Sequence, residues 1–156
     1  MTTAFALNGE PVATELPPET PLIHVLRDGF GLFGTRWGCG AEACGACLVL
    51  LDGRAVHSCT LALDAVAGRG VRTVEGLGTP AAPHPLQAAF LEEQAGQCGY
   101  CLSGILVRAA ALLAENPDPD AAAVRAALDG NLCRCGAHNR IVRAVLRAAA
   151  AMRAAA

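Results

Sequence analysis

The nine residues "CGAEACGAC" (39–47) decide the fold of the first half of the chain, because they place three cysteines in one short loop. The glycines of this loop let the backbone turn tightly, and they leave amide N–H groups free to point at the thiols. A fourth cysteine follows after an interval of eleven residues. Together they form the first cysteine site, whose predicted members are Cys39, Cys44, Cys47 and Cys59.

A β-hairpin accounts for the long last interval. After the loop an apolar strand runs to a turn at Asp52-Gly53, and the chain then returns beside that strand. Pairing Leu51 with Arg54 places Ser58 opposite Cys47. The fourth cysteine therefore lies next to the loop that it completes.

The spacing of the first set indicates which metal it binds. The pattern C-x4-C-x2-C is that of a plant-type [2Fe–2S] site, and its amide N–H groups raise the reduction potential by hydrogen bonding to sulfur. Structural zinc is the alternative. Zinc sites usually combine two C-x2-C pairs, whereas this set contains only the pair Cys44 and Cys47.

A second group of cysteines lies in "QCGYC" (97–101) and "LCRC" (132–135). Each stretch comes directly before a predicted helix, and two facing helix N-termini would favour the negative charge of gathered thiolates. This spacing also fits a zinc site, or a redox disulfide at "CGYC". The predicted members of this second cysteine site are Cys98, Cys101, Cys133 and Cys135.

The chain divides at the stretch "GLGTPAAPHP" (76–85), in which prolines and glycines predict a boundary. We expect one domain over residues 1–76, a linker over 77–84 and a second domain over 85–156. The first half should be a small mixed sheet with one helix, and the second a compact four-helix bundle. The predicted elements are a hairpin over 3–7 and 11–16, a helix over 21–28, a hairpin over 46–59, a strand over 71–76, and helices over 85–95, 102–115, 119–129 and 137–153.

Composition and charge restrict the possible partners. The net charge is −2, whereas a nucleic-acid partner would need a basic surface. The hydrophobic fraction of 53% is high and suggests surface buried against another subunit. No secretory signal or membrane-spanning run is found, so we expect a cytoplasmic chain with reduced thiols, which reaches a membrane or the periplasm only through a partner.

The chain resembles the small iron–sulfur subunits of the molybdenum hydroxylases, the xanthine dehydrogenase and aldehyde oxidoreductase family. "GCG…CGAC", the later Cys59, "QCGYC" and "GNLCRCG" occur in the family's order and cover nearly the whole chain. The resemblance implies an α+β fold, with a β-grasp plant-type ferredoxin domain followed by a four-helix bundle. It also implies one [2Fe–2S] cluster in each domain and a molybdopterin cofactor, of the cytosine dinucleotide type, in a separate large subunit.

Two further roles follow from the resemblance. Gln97 would hydrogen-bond the pterin, and Cys135 would be the cluster ligand nearest to it. The form "CRCGAH" (133–138) looks most like the subunits of bacterial enzymes that hydroxylate nicotinate and other N-heterocycles. In that branch a c-type cytochrome often accepts the electrons, in place of a flavin (FAD) subunit. Leu102-Ser103, Gly136 and Glu42 depart from the common family pattern.

The remaining candidates are weaker. His24, His57 and His84 have no partner pattern and are expected to be structural or solvated. His138 either caps or packs at a helix start or contacts the pterin or a partner chain. Arg134 offsets the cluster charge, faces a pterin phosphate or is solvated. No nucleophile–base pair or nucleotide-binding fingerprint is found, so we expect no catalytic residues. Besides an electron-transfer subunit, two alternatives stay open, namely a free two-cluster electron carrier and a zinc-stabilised interaction module.

Overall fold

The computed structural model describes residues 2–155, and their first half is built on one mixed sheet. Its five strands lie in the order β2-β1-β5-β3-β4. β1 pairs with β2 and β3 with β4 in antiparallel fashion, whereas β1 and the short β5 run parallel. The strands are β1 (Thr3–Leu7), β2 (Glu10–Thr14), β3 (Leu48–Leu51), β4 (Arg54–His57) and β5 (Gly70–Arg72).

Both predicted hairpins are present. The first turns on Asn8-Gly9, and the second turns on Asp52-Gly53 as predicted. Asn8 and Gly9 have φ of +53° and +93°, and Asp52 and Gly53 have φ of +49° and +84°. Positive φ at both central residues is typical of the type I′ turn, which Asn-Gly and Asp-Gly favour. The second hairpin has the predicted register, with Leu51 opposite Arg54.

Two predicted elements of this half differ from the structure. The helix predicted over 21–28 begins as the single turn α1 (Leu22–His24) and widens into a π-helical turn over Val25–Gly29. The strand predicted over 71–76 ends at Arg72, and a 3-10 turn, Val74–Gly76, follows. Apolar spacing alone does not distinguish these hydrogen-bond patterns, because the pattern changes within one turn.

The second half contains four helices, as predicted. The first and third are shorter than predicted, the second has the predicted bounds, and the fourth is shifted by one residue. Asp120 begins the third of these, because its Oδ1 accepts the backbone N–H of Ala123 at 2.7 Å. Within residues 2–155 no helix is both long and apolar enough to cross a bilayer. The helices are α2 (Pro85–Glu92), α3 (Leu102–Glu115), α4 (Ala121–Ala127) and α5 (His138–Ala154).

The two halves pack against each other through α3 and β3. All four residues of β3 are buried, because its two faces serve two cores. Val49 and Leu51 face the sheet's own core, whereas Leu48 and Leu50 pack against α3. The domain limits at 76 and 85 stay a prediction.

Two candidate metal centres

The first cysteine site is formed by the loop between the π-helical turn and β3. Two backbone N–H groups, of Ala41 and Ala43, donate to Cys39 Sγ at 3.3 and 3.2 Å. The N–H of Cys39 donates to Cys44 Sγ at 3.3 Å. The bonds from Ala41 and Ala43 lower the pKa of the Cys39 thiol to about 7, which favours the thiolate that a metal requires.

The hairpin completes this site from the other side. Ser58 lies opposite Cys47, and both its N–H and its hydroxyl donate to the Cys47 carbonyl, at 3.3 and 2.7 Å. Cys47 and Cys59 are buried at 2% and 5% exposure, next to Ile23. Burial raises the pKa of the Cys47 thiol to about 12, and the neighbouring Cys59 also contributes. These two thiols therefore form the inner side of the site.

Glu42 adopts a backbone conformation that explains why glycine is common at this position in the family pattern. Its φ is +59°, in the left-handed region where glycine is the favoured residue. The Glu42 carboxylate accepts a hydrogen bond from the hydroxyl of Thr60, which follows Cys59. The side chain thus ties the cysteine loop to the end of the hairpin, which a glycine could not do.

The second cysteine site lies where the chain enters α3 and α5. Cys101 is the N-cap residue of α3, and Cys133 and Cys135 precede α5. The Tyr100 backbone N–H lowers the pKa of the Cys98 thiol. Burial raises the pKa of the Cys101 thiol to about 12. The second site, like the first, combines an exposed thiol with a partly buried one.

In both sites the thiols come in two adjacent pairs. The sulfurs of Cys98 and Cys135 are 3.5 Å apart, and two thiolates on one tetrahedral metal at about 2.3 Å lie about 3.8 Å apart. The other neighbouring pairs are Cys39 with Cys44, Cys47 with Cys59, and Cys101 with Cys133. Among residues 2–155 no three His, Cys, Asp or Glu side chains converge around a single-ion position. Two pairs around each site fit a two-iron cluster, in which each pair would hold one iron.

A cleft of about 500 Å³ contains thiols of both sites. Cys44 of the first site lines it together with Cys98, Cys101 and Cys133 of the second. Arg134 and His138 also line it. His138 does not cap α5, since its ring nitrogen Nε2 lies 3.0 Å from the backbone carbonyl of Asn131.

Gln97 lines a different and larger groove of about 660 Å³. This groove runs between the segment 78–83, helix α2 and the residues before Cys98. It meets the second site at Gln97 and Gly99, on either side of Cys98, and at Leu102, which follows Cys101. The walls are mainly apolar and include Phe90, Leu102 and Leu106. Gln97 itself is exposed, next to the exposed Cys98.

The remaining histidines have structural surroundings. His24 lies against Trp37, with ring centroids 5.1 Å apart. His84 caps α2, because its Nδ1 accepts the N–H of Leu86 at 3.1 Å, and burial lowers its pKa. Burial also lowers the pKa of His57.

Sequence reasoning missed the residues that join the two sites. Asn131 and Leu132 hydrogen-bond the loop at Cys44, and Tyr100 donates its hydroxyl to the Trp37 carbonyl. Gly104, in the first turn of α3, is packed against Gly45. An isolated glycine within a helical pattern was the one available signal, because such a residue often marks a close approach of two backbones.

Comparison with known proteins identifies both halves. The 2Fe-2S iron-sulfur cluster binding domain matches residues 5–72, and a [2Fe-2S] binding domain matches residues 73–146. The chain is 50% identical to a subunit of nicotinate dehydrogenase from Pseudomonas putida over 148 residues, which cover 95% of this chain and 94% of that one. It is 51% identical to the alpha subunit of isoquinoline 1-oxidoreductase from Brevundimonas diminuta over 146 residues, covering 93% and 95%.

Solved structures match the whole arrangement of sheet and helices. Quinoline 2-oxidoreductase from Pseudomonas putida 86 gives a TM-score of 0.93 at 37% identity, with coverage of 99% of this chain and 96% of that one. Aldehyde oxidoreductase from Desulfovibrio gigas gives 0.95 at 37% identity, with coverage of 100% and 18%. The matched part is thus a small fraction of that longer chain. These matches confirm the predicted fold, a β-grasp ferredoxin domain followed by a helical domain.

Proposed function

Because the chain belongs to the small iron–sulfur subunits of the molybdenum hydroxylases, the xanthine dehydrogenase and aldehyde oxidoreductase family, we propose that it conducts electrons away from the molybdenum centre of a large partner subunit. A [2Fe–2S] cluster at each site would supply one-electron redox chemistry. Substrate chemistry belongs to the partner. Our proposal gives this chain no catalytic residue.

The eight cysteines are the proposed ligands. Each site offers two pairs of thiols, and backbone N–H groups already point at the sulfur of Cys39. Those N–H groups stabilise the thiolate and keep it aimed into the site. The buried Cys47 and Cys59 exclude water from the inner side of the first site.

One observation carries the proposal, namely that both four-cysteine sites reach the surface and also share one cleft. Cys39 of the first site is exposed, and so is Cys98 of the second. The cleft between the sites contains Cys44 and Cys133. A chain that conducts electrons needs an entrance, an exit and a contact between them, and this arrangement offers all three.

The entrance is proposed at the second cysteine site. Gln97 is exposed beside Cys98, where its amide is available to a pterin held by the large subunit. Cys135, paired with Cys98, is the proposed ligand nearest to that pterin, which we take to be a molybdopterin cytosine dinucleotide. The mainly apolar groove beside Gln97 would be covered in the same complex.

The exit is proposed at the first cysteine site, towards a c-type cytochrome or an FAD subunit. The likeness to the subunits of nicotinate dehydrogenase and isoquinoline 1-oxidoreductase favours an aromatic N-heterocycle as the substrate of the complex. It also favours the cytochrome, which often serves that branch of the family. The cytoplasm keeps thiols reduced for cluster assembly and is the proposed compartment of this chain.

Purification of the tagged chain from its native host tests this proposal. We expect molybdenum to co-purify together with a large subunit, and we expect Gln97→Ala to slow the reduction of this chain by the molybdenum centre. Gln94→Ala is the matched control, since Gln94 lines the same groove farther from the cysteines. A chain that carries iron but purifies alone would instead be a free electron carrier.

A further inference from the structure

Two consecutive carbonyl groups of the first cysteine loop accept hydrogen bonds from two consecutive residues of the second. The N–H of Leu132 donates to the Cys44 carbonyl at 3.0 Å. The side-chain amide of Asn131 donates from Nδ2 to the Gly45 carbonyl at 3.3 Å. Cys44 is a proposed ligand of the first site, and Leu132 directly precedes Cys133 of the second.

This contact is buried, and the segment that accepts the hydrogen bonds is packed on two sides. Asn131 is only 2% exposed. Its backbone carbonyl accepts the ring N–H of His138 at 3.0 Å, which holds the Asn131 backbone against the first turn of α5. On the other side, a Cβ added at Gly104 would lie 1.9 Å from the Gly45 carbonyl oxygen. The Cys44-Gly45 segment is therefore held between the loop before α5 and the start of α3.

The Leu132 hydrogen bond gives the most direct bonded route between the two sets of thiols. From Cys133 Sγ, covalent bonds lead back along the main chain to the Leu132 nitrogen. The 3.0 Å hydrogen bond then reaches the Cys44 carbonyl, and that residue's own side chain leads to Cys44 Sγ.

A second contact between the sites is less direct. The Tyr100 hydroxyl donates to the Trp37 carbonyl. Neither residue is a cysteine, so a route through this contact must cross the whole Tyr100 side chain and then follow the main chain from Trp37 to Cys39.

We propose that the Cys44-Gly45 segment is the electron bridge between the two sites, and that Asn131 is the positioning residue that keeps it in register with Leu132. This inference rests on the proposed function. With a [2Fe–2S] cluster held by each site, this segment would carry one electron from the second site to the first, and one iron would be oxidised by one unit while the other would be reduced by one unit. No proton moves, and no covalent bond forms or breaks.

The test uses the full chain with both clusters and requires no partner. A laser flash with a photoreductant supplies less than one electron per chain, and absorbance differences between the clusters follow its redistribution. Asn131→Leu and Asn131→Ser remove the amide that donates to Gly45. Val107→Ala is the control, because Val107 lies in the same interface but packs on Leu48 and Leu50, away from the Cys44 contact.

We expect the rate of exchange between clusters to fall several-fold in both Asn131 variants, with iron content and both reduction potentials unchanged. The Val107→Ala variant should exchange electrons at the original rate despite its lower stability. An unchanged rate in either Asn131 variant would overturn the proposal. Loss of iron from both, while Val107→Ala keeps its iron, would also overturn it, by making Asn131 a residue of cluster assembly. Failure of the proposed function would be seen separately, as a chain that purifies without molybdenum.

Discussion

At the scale of single residues, Gly104 sets how closely the two halves approach. In an ordinary helix interior Gly→Ala adds stability of about 1 kcal/mol. Here the added methyl group would meet the Gly45 carbonyl oxygen at 1.9 Å and the Ala46 Cα at 3.1 Å, both of which belong to the backbone. We therefore expect Gly104→Ala to lower the free energy of unfolding by roughly 2 kcal/mol or more, measured by chemical denaturation.

The matched control for this change is Gly130→Ala. An added Cβ at Gly130 meets no atom within 4 Å, and this glycine is not among those with positive φ. Its stability should stay close to that of the unchanged chain. Equal stability of the two alanine variants would show that the close approach at Gly104 has no energetic importance.

Some residue roles can be predicted from the sequence and others cannot. The cysteines can be proposed as ligands from sequence alone, because their chemistry is specific and their spacing matches a known type of site. Asn131 lies within the quoted "GNLCRCG", yet its amide acts on a carbonyl 86 positions earlier in the chain. Nothing in local sequence indicates such a partner, because any buried Asn has many possible partners.

At the scale of elements, the hairpin of β3 and β4 sets the position of Cys59. Val49 pairs with Val56, and Leu48 pairs with His57. The residues that follow β4, including Cys59, therefore lie beside Cys47. Insertion of one alanine between Val56 and His57 would shift this register and turn the end of the strand over. We expect the variant to lose the cluster of the first site only, measured as loss of half the iron.

Insertion of one alanine after Pro80 is the control for the hairpin experiment. Pro80 and Ala81 are exposed and lie outside the sheet, between the 3-10 turn Val74–Gly76 and α2. This variant should keep all of its iron. Retention of the first cluster after the Val56–His57 insertion would mean that the hairpin does not position Cys59.

Helices α2 and α5 are joined by Glu93, whose carboxylate binds two arginines. Arg143 Nε lies 3.1 Å and Arg147 Nη1 3.3 Å from its oxygens. The hydrogen bond from Arg143 is the main cause of a lowered Glu93 pKa. The ion pairs of Glu93 therefore stabilise the folded state fully at pH values above the ordinary pKa of 4.5. This stabilisation is lost as the pH falls through the lowered pKa of Glu93 in the folded state.

We expect Glu93→Gln to unfold at a lower denaturant concentration than the unchanged chain at neutral pH, by a small amount. The difference should vanish in acid, where the native carboxylate is protonated as well. Glu92→Gln is the comparison, because the Glu92 carboxylate is 54% exposed and binds Arg147 alone. A difference that persisted through the acid range would contradict the ion pairs as its cause.

Apolar periodicity predicted which segments are helical, but it does not give the helix ends. A helix start can be predicted only where a capping residue marks it, as Asp120 does, because its side chain hydrogen-bonds within its own turn. The π-helical turn at Val25–Gly29 cannot be predicted in this way, because its wider hydrogen bonding depends on the residues that pack around it. The same applies to the short 3-10 turn after β5.

At the scale of the whole molecule, we expect the buried interface between α3 and β3 to make the two halves one cooperative folding unit. Val107 is fully buried there beside Leu48, Leu50 and Ala111. We expect Val107→Ala to lower stability by about 2 kcal/mol, through lost burial and a remaining cavity. Helix circular dichroism and absorbance of the first cluster should show the same shifted transition, although the mutated residue lies in the helical half.

Val12→Ala is the comparison for the interface variant, because Val12 is only partly buried and packs against the core of the sheet, away from α3. We expect a smaller shift of the unfolding transition, equal in the two signals. Separate transitions for the two signals in Val107→Ala would contradict a single cooperative unit. The sequence predicted both halves but not this docking, since the apolar run "LVLL" is equally compatible with a strand buried by another subunit.

The central claim is that the chain holds two [2Fe–2S] clusters, one at each cysteine site, and iron analysis of single-cysteine variants tests it most directly. The unchanged chain should contain four irons and four acid-labile sulfides and give two distinct EPR signals when reduced. Cys39→Ser should lose one signal, and Cys98→Ser the other, with half of the iron lost each time. Zinc in place of iron, or loss of both signals from either variant, would contradict two independent electron-transfer centres.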